Sequence, residues 1–127
     1  MKYFTPHEAT QMLPLVRRIV EDIITEGTQL REYVQEVQNN VEGNPEFERR
    51  IRLINGYFKE LEELGCLYKD WNFSIGLVDF PAVIDDEEVL LCWRSDEDKL
   101  EYYHSIEDGF SGRKRIPDEL LQELIIP

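Results

Sequence analysis

The side chains with the clearest chemical potential are three carboxylates and one imidazole: Glu8, Asp79, Glu97 and His104. Carboxylates combined with an imidazole are a ligand set for zinc, manganese or ferrous iron. Asp79 stands in the apolar run Gly76–Pro81, where burial of an unpaired carboxylate would cost free energy. We therefore expect Asp79 to have a partner, and a divalent metal is one. Three further residues are reserve ligands for such a site: His7, Glu101 and Glu107.

Ordinary structural roles compete with a metal for these side chains. Asp79 could instead cap a turn or pair with a backbone amide, with Lys69 or with Arg94. His104 could be a hydrogen-bonded histidine of the core, and Glu8 has the spacing of a helix capping box. The sequence contains no HExxH motif and no pair of ExxH motifs, so a metal site and these structural roles both stay open.

A second candidate site is the glycine-containing loop Gly109–Arg115. Its two glycines could expose successive backbone amides, and it ends in the densest cluster of cations in the chain: Arg113, Lys114 and Arg115. Such a loop can bind a phosphate or a carboxylate, although it lacks the spacing of a nucleotide P-loop. Alternatively, Phe110 anchors the loop in the core and the cations offset nearby acidic groups.

The two cysteines indicate neither redox chemistry nor a nucleophile. Cys66 and Cys92 form no CxxC motif, and neither stands beside a histidine in the sequence. The G-x-S-x-G motif of serine hydrolases is also missing from the sequence. We expect two buried free thiols rather than a disulfide, as is usual in a reducing compartment.

The charge of the chain argues against two classes of partner. Acidic residues number 27 against 14 basic ones, which gives a formal net charge of −13. Nucleic acids and anionic membranes both attract basic surfaces, so we expect neither as a partner. The first six residues lack the apolar run of a signal peptide, and no stretch approaches the roughly 20 apolar residues of a membrane span. We therefore expect a soluble cytoplasmic protein.

The first half of the chain predicts a helical hairpin over residues 6–65. Thr5–Glu8 has the residues of a helix start, and Pro14 predicts that this first helix is short and that a new one begins there. Apolar residues spaced by four and three predict a second helix that extends to near Val41: Val16, Val20, Ile23, Gly27, Leu30, Val34, Val37 and Val41. A third helix has the same period and ends at Gly65: Phe47, Ile51, Ile54, Phe58, Leu61 and Leu64. The turn Gly43–Pro45 between them predicts antiparallel packing.

Residues 66–117 predict a small antiparallel β-meander. Strands are expected at four places: Cys66–Lys69, Leu77–Phe80, Val89–Arg94 and Leu100–Ile106. Pro81 closes the second strand, Asp85–Glu87 is a polar turn, and the third strand is apolar on nearly both faces, which is typical of a central strand. A short helix is expected over 118–126. The sequence thus predicts one α+β domain, 1–127, in which the helical hairpin packs on the meander.

The hairpin also predicts a homodimer. Five apolar residues flank the two seams without an evident partner: Ile19, Ile24, Tyr33, Leu53 and Tyr57. A broad apolar stripe on a long helix usually needs more than one neighbour. Two-fold dimers are the commonest oligomers, so we expect self-association through the hairpin.

Several motifs, in order and with matching spacing, make the chain similar to a bacterial family known only as a domain of unknown function, number twenty-two-zero-three. The motifs are Phe4-Thr5-x-x-Glu8-Ala9, Lys69-Asp70, Gly76-Leu77-Val78-Asp79-Phe80-Pro81, Leu91-Cys92-Trp93-Arg94, His104 and Gly109-Phe110-x-Gly112-Arg113. The chain departs from the family pattern at Ser95-Asp96, where Leu-Gly is common, and at Tyr103, where Trp is common. The resemblance implies no established activity.

Two classes of function follow from the sequence. The first is a small protein that binds a divalent metal, either with or without catalysis, and its small-molecule ligand is not identified. The second is a non-catalytic helical hairpin module that forms a homodimer. Anion binding by the loop Gly109–Arg115 is a further alternative.

Overall fold

The computed structural model of the protein describes residues 2–71 and 73–122. Its elements, in chain order, are α1 (Pro6–Glu36), α2 (Pro45–Leu64), β1 (Leu67–Trp71), β2 (Ile75–Ile84), β3 (Glu87–Arg94), β4 (Tyr102–Ser105), a 3₁₀ turn (Phe110–Gly112), β5 (Lys114–Arg115) and α3 (Asp118–Leu121). The five strands form one antiparallel sheet in the order β1-β2-β3-β4-β5. The predicted α+β fold, a long helical hairpin packed on a β-meander, is confirmed.

Helix α1 is continuous through Pro14, so the predicted break at this proline is wrong. Pro14 lies on the exposed side of the helix, where water can hydrate the carbonyl group that loses its amide donor. On the other side, one buried stripe passes the proline without interruption: Ala9, Leu13, Val16, Ile19, Val20 and Ile23. Packing of this stripe therefore outweighs the local cost of the proline.

The turn between the helices begins earlier than predicted. Helix α1 ends at Glu36, five residues before Val41, because Gln38 and Asn39 adopt left-handed backbone angles with φ of 57° and 64°. Such angles cannot continue a right-handed helix. The start of α2 agrees with the sequence: the Asn44 side chain accepts hydrogen bonds from two amides of the first turn. Gly65 ends α2 in the left-handed conformation, as predicted.

Strand β2 runs through Pro81, so the prediction that this proline closes the strand is wrong. Pro81 pairs with Leu90 on one side, but β1 extends only as far as the residue opposite Asp79 on the other. A proline has no amide hydrogen to donate, and it is tolerated there because β1 has ended and no strand on that side needs a hydrogen bond from it. Instead, the Pro81 carbonyl accepts a hydrogen bond of 2.7 Å from the Phe4 amide.

The other predicted strands differ from the observed ones only in their ends. Strand β1 starts at Leu67 rather than Cys66 and extends to Trp71, two residues beyond the predicted end at Lys69. Strand β3 starts at Glu87, and it is central as predicted. Strand β4 spans only Tyr102–Ser105, since pairing with β3 stops at Tyr102, and Ile106 beyond it is exposed.

The sheet has one face against the helices and one face turned away from them. Core residues of the inner face alternate along β2 and β3: Val78, Phe80, Ala82, Val89, Leu91 and Trp93. They pack with buried side chains of both helices, among them Val16, Val20, Ile23 and Leu61. Because successive side chains of a strand point to opposite faces, Asp79 and Cys92 belong to the outer face. This outer face carries the polar residues of interest.

The remaining expectations from sequence concern the ends and the surface. Of the predicted helix 118–126, α3 covers Asp118–Leu121, and residues 123–127 lie outside the described part of the chain. No helix among the described residues combines the length and apolar character needed to cross a membrane. Most residues that motivated the homodimer are covered within one chain: Ile19 is buried, Ile24 and Tyr57 pack against the core, and Tyr33 bonds to Asn44.

Candidate metal centre

Three adjacent strands each contribute one potential metal ligand to the outer face of the sheet. Asp79 of β2 lies directly opposite Cys92 of β3, and His104 of β4 lies opposite Leu90, two residues before Cys92. The register between β2 and β3 is set by a two-residue turn in which Asp85 and Asp86 both have positive φ. The sheet pairing therefore brings together residues that are distant in sequence.

The donor atoms of these three side chains lie within 4.8 Å of one another. Over the chain that the structure describes, they are the one group of three or more His, Cys, Asp or Glu residues that is close enough to hold a metal ion. All three are buried, with exposed fractions of 7% for Asp79, 1% for Cys92 and 4% for His104. Buried polar side chains that face one another need either mutual hydrogen bonds or a bound ligand.

The orientation of His104 is fixed by the backbone. Its Nδ1 lies 2.8 Å from the carbonyl oxygen of Ser105, and because that oxygen can only accept, Nδ1 carries the proton and donates. In the neutral ring, Nε2 then presents a lone pair, and it faces Asp79 Oδ1 at 3.4 Å. Metal-binding histidines have this arrangement, with the second ring nitrogen bonded to a carbonyl or carboxylate.

The distance from Nε2 to Oδ1 suits a shared cation better than a hydrogen bond. Charge-assisted hydrogen bonds between nitrogen and a carboxylate span about 2.7–2.9 Å, which is shorter than the observed 3.4 Å. Two donors each about 2.0–2.1 Å from a tetrahedral zinc ion lie about 3.3–3.4 Å apart. The spacing of Asp79 and His104 therefore matches two ligands of one ion.

The Asp79 carboxylate accepts a hydrogen bond from the Cys92 thiol, but one of its two oxygens lacks a partner. Its Oδ1 is buried and makes no hydrogen bond to any described residue. The alternatives considered from sequence, a turn cap or an ion pair with Lys69 or Arg94, are not formed by this atom: Arg94 pairs with Asp96 instead. An unsatisfied buried acceptor costs about 1–3 kcal/mol, and a bound cation would remove this cost.

Cys92 was not recognised as a site residue from the sequence. Burial raises the pKa of its thiol to about 12, and the negative charge of Asp79 acts in the same direction. The thiol is therefore protonated near neutral pH in the absence of a metal, and a bound metal would displace this proton. The signal that could have found Cys92 is the turn itself: a two-residue loop at Asp85 and Asp86 places position 92 opposite position 79.

Glu8 and Glu97 lie outside the group formed by Asp79, Cys92 and His104. The Glu8 carboxylate accepts the Thr5 amide, and the Thr5 hydroxyl accepts the Glu8 amide, which completes the capping box. The hydrogen bond from the Thr5 amide is the largest cause that lowers the pKa of Glu8, and a hydrogen bond from the Thr5 side chain to the carboxylate adds to it. The Glu97 carboxylate accepts a hydrogen bond from the Arg94 amide and pairs with Arg113 at 2.6 Å. The structure thus unites only two of the four predicted ligands, Asp79 and His104, with a cysteine.

The three reserve ligands are also elsewhere. His7 is on the first turn of α1, and its Nε2 is buried without a hydrogen bond to the described residues. Glu101 lies 3.7 Å from Arg115, and Glu107 is exposed in the loop after β4. None of them belongs to the group of donors around Cys92.

The loop Gly109–Arg115 uses much of its positive charge internally. Arg113 pairs with Glu97 and its guanidinium stacks on the Phe110 ring, while Arg115 lies near Glu101. The Gly112 amide donates to the Gly109 carbonyl within the 3₁₀ turn, so it is not free for an anion. Lys114 is the cation of this cluster that is exposed without an ion pair among the described residues.

Two cavities of about 670 Å³ each lie away from this group of donors. One is lined by Thr10, Arg17 and Lys99, and the other by Tyr3 and His7, among other residues. None of the three donor residues lines either cavity. A metal ion occupies the space between its own ligands, so the donor geometry and not cavity size identifies the candidate centre.

Comparison with known proteins gives a family and no activity. Residues 2–116 match a family described as "Uncharacterized conserved protein (DUF2203)". No curated protein and no solved structure matches the chain. The match includes every residue of the candidate metal centre.

Proposed function

This chain belongs to the DUF2203 family, and we propose that it binds one divalent transition metal, with zinc preferred, through Asp79, Cys92 and His104. One observation carries the proposal. A buried carboxylate oxygen without a hydrogen-bond partner among the described residues faces the lone pair of a backbone-anchored imidazole, with a thiol beside both. Two acceptors that face each other in a buried place repel unless a metal ion lies between them or a proton occupies Nε2, and we propose the metal ion.

The donor set favours zinc over the other metals considered. Zinc is commonly bound by sulfur, nitrogen and carboxylate oxygen in tetrahedral geometry. Manganese prefers oxygen ligands, so the thiolate of Cys92 disfavours it, and ferrous iron is the closer competitor. The charges also balance: the Asp79 carboxylate and the Cys92 thiolate together neutralise a divalent ion, and a neutral His104 adds none.

Three protein ligands leave one tetrahedral position for water or a substrate. Catalytic zinc sites have this composition, whereas structural sites usually have four protein ligands. The side chain of Asp79 is slightly more exposed than that of His104, at 10% against 4%, which supports an open position on the Asp79 side of the centre. Metal binding is the function proposed; a reaction would require this fourth position to be reached by a substrate.

Two other functions have less support from the geometry. Anion binding by the loop Gly109–Arg115 is weakened because Arg113 and Arg115 already face Glu97 and Glu101. A dimeric interaction module is weakened because most apolar residues that flank the helix seams have partners in the same chain. Both functions stay as alternatives that the following experiment separates from metal binding.

The test is metal content and zinc affinity of protein purified without a metal-affinity tag. The chain contains two cysteines and two histidines, and one of each is in the candidate centre. Cys92→Ser and His104→Ala therefore have matched controls in Cys66→Ser and His7→Ala. We expect about one zinc ion per chain in the wild type and both controls, and loss of zinc in both centre variants.

Apo-protein prepared with a chelator gives an independent measurement. Addition of zinc at about 100 times its dissociation constant should stabilise the wild type by about 2.7 kcal/mol in thermal unfolding. The centre variants should show no such stabilisation. Wild-type protein that contains no metal, takes up none and unfolds at the same temperature with and without zinc would exclude the proposed function.

A further inference from the structure

The guanidinium group of Arg113 connects the candidate centre to the loop that follows β4. Its Nη2 donates to the backbone carbonyl of Cys92 at 3.1 Å and to the carboxylate of Glu97 at 2.6 Å. Both side chains are largely shielded, with exposed fractions of 13% for Arg113 and 18% for Glu97. A shielded ion pair of this kind holds its geometry better than a pair on the surface.

Two aromatic rings restrain the same guanidinium group. It lies 4.1 Å from the ring centre of Tyr102 and 4.6 Å from that of Phe110. Tyr102 is the residue of β4 directly opposite Cys92, so the stacking takes place beside the thiol ligand. Cation–π contacts and hydrogen bonds together therefore fix Arg113 in one place.

Arg113 acts where the sheet stops supporting Cys92 on its β4 side, while the pairing with β2 continues to Arg94. The pairing of β3 with β4 ends at the Cys92–Tyr102 pair, and the chain between Arg94 and Tyr102 is a loop. The Cys92 carbonyl accepts from Arg113 at this point, and the Arg94 amide donates to the same Glu97 oxygen that Arg113 contacts. One ion pair thus anchors the backbone at Cys92 and two residues beyond it.

The charges near the thiol are balanced only if this ion pair is complete. A divalent ion with one carboxylate and one thiolate is neutral, and Arg113 with Glu97 is neutral as well. Removal of Arg113 would leave the shielded carboxylate of Glu97 uncompensated next to an already anionic ligand set. Removal of Glu97 would leave an uncompensated cation there instead.

We propose that Arg113 and Glu97 are positioning residues of the metal centre, which hold the Cys92 ligand in place through its own backbone. The inference rests on the proposed function, because it assigns a role toward the metal that Asp79, Cys92 and His104 bind. It also changes the role of Glu97, a ligand candidate from the sequence, since Glu97 orients a ligand through Arg113 without touching the ion.

The test uses the full chain with zinc and with cobalt(II) as a coloured substitute for zinc. The variants are Arg113→Gln, Arg113→Lys and Glu97→Gln, with Arg115→Gln as the control, because Arg115 is exposed and 3.7 Å from Glu101. Zinc affinity is measured by competition with a chelator, and the sulfur-to-cobalt absorption band reports the geometry of the thiolate ligand. Thermal unfolding of the metal-free variants reports stability separately.

We expect Arg113→Gln to weaken zinc binding by about tenfold to 100-fold and to shift the sulfur-to-cobalt band, since changes to groups that orient metal ligands have this effect. Arg113→Lys keeps the charge but not the planar fork, so it should recover only part of the affinity. Glu97→Gln should weaken zinc binding as well. The double variant with both Arg113→Gln and Glu97→Gln should lose less binding free energy than the sum of the two single variants, because the two residues act as one pair. Arg115→Gln should bind zinc like the wild type.

Several results would overturn the inference. If wild-type protein binds zinc while Arg113→Gln and Glu97→Gln keep its affinity and the cobalt band, neither residue positions the centre. A lower unfolding temperature with unchanged zinc affinity and cobalt band would assign the pair to fold stability alone. Should Arg113→Gln fail to fold, Glu97→Gln decides by the same two readouts. Wild-type protein that binds neither ion would instead refute the proposed function, and the inference with it.

Discussion

The carboxylate of Asp79 and the thiol of Cys92 form a cross-strand pair, directly opposite each other on β2 and β3. Within this pair, Asp79 Oδ1 has no hydrogen bond from any described residue. A pair of this kind adds little to the stability of a sheet, since strands are usually stabilised by apolar or opposite-charge pairs. Its cost to the fold leads to the first prediction.

Asp79→Asn should abolish metal binding and yet stabilise the metal-free protein. The amide of Asn can donate to the lone pair of His104 Nε2, which in the native chain faces a carboxylate oxygen at 3.4 Å. Relief of one unsatisfied buried acceptor should add about 1 kcal/mol to the free energy of unfolding. Denaturant unfolding in the presence of a chelator measures this change. A variant that is markedly less stable than the wild type, or that binds zinc equally well, would show that Asp79 has a structural role.

The two helices provide a matched pair of glycine substitutions. A methyl group on Gly27 of α1 would overlap the ring of Phe73, whereas one on Gly56 of α2 would meet nothing within 4 Å. Gly27→Ala should therefore destabilise the protein by about 1–3 kcal/mol through overpacking. Gly56→Ala should stabilise it by about 0.8–1 kcal/mol, which is the difference in helix propensity. Thermal unfolding of both variants checks the prediction, and equal effects would contradict the observed position of Phe73.

The capping box of α1 predicts a dependence of stability on pH. Hydrogen bonds from the Thr5 amide and hydroxyl, with smaller effects of the Lys2 and His7 charges, lower the pKa of Glu8 below its ordinary value of 4.5. A carboxyl group with a lowered pKa stabilises the folded state fully above its unfolded-state pKa, and this stabilisation is lost as the pH falls through the folded-state pKa. Glu8→Gln should therefore be less stable than the wild type at pH 7, and the difference should shrink as the pH falls below about 4.5.

Unfolding curves of Glu8→Gln and wild type, from neutral pH down through the ordinary pKa of a glutamate, provide the measurement. Gln keeps a hydrogen-bond acceptor at the same position, so the comparison isolates the negative charge near the helix N-terminus. A difference that stays constant over this range would show that the charge of Glu8 does not contribute.

The predicted homodimer now rests mainly on Leu53, which is 36% exposed on α2, while the other flanking residues have partners in the chain. If the hairpin mediates self-association, sedimentation at micromolar concentration should give a dimer that added salt strengthens, because screening reduces repulsion between chains of charge −13. Leu53→Glu should then give a monomer. A monomer mass for the wild type at all salt concentrations would exclude the dimer.

Local signals explain what could be predicted from the sequence. The cap at Asn44 and the left-handed Gly65 are determined by one or two residues each, so the ends of α2 were predicted correctly. Pro14 and Pro81 were misjudged because tertiary surroundings decide whether a proline interrupts: one lies on an exposed helix face, the other where β1 has ended. Local cost alone does not settle either case.

The site required knowledge of strand register. Asp79 and His104 were identifiable as polar residues in apolar strands, but the contribution of Cys92 depends on which residue lies opposite Asp79. The predicted turn, Asp85–Glu87, is one residue longer than the observed turn of Asp85 and Asp86. It therefore does not identify the residue opposite Asp79. Glu97 was misassigned for a similar reason, because its partner Arg113 is supplied by a loop 16 residues away. Pairings between distant segments do not follow from local pattern.

Successive side chains of β2 point alternately into the apolar core and towards the candidate metal centre, so one alternation serves both. Val78 and Phe80 contribute to the core while Asp79, between them, contributes to the centre on the other face. Deletion of a single residue just before this segment would exchange their positions: the carboxylate would turn inward and the phenyl ring outward. Deletion of two residues would shift each side chain by about 6.6 Å along the strand but keep its direction. Only insertions or deletions of an even number of residues before this segment therefore keep the apolar side chains in the core and the carboxylate in the centre.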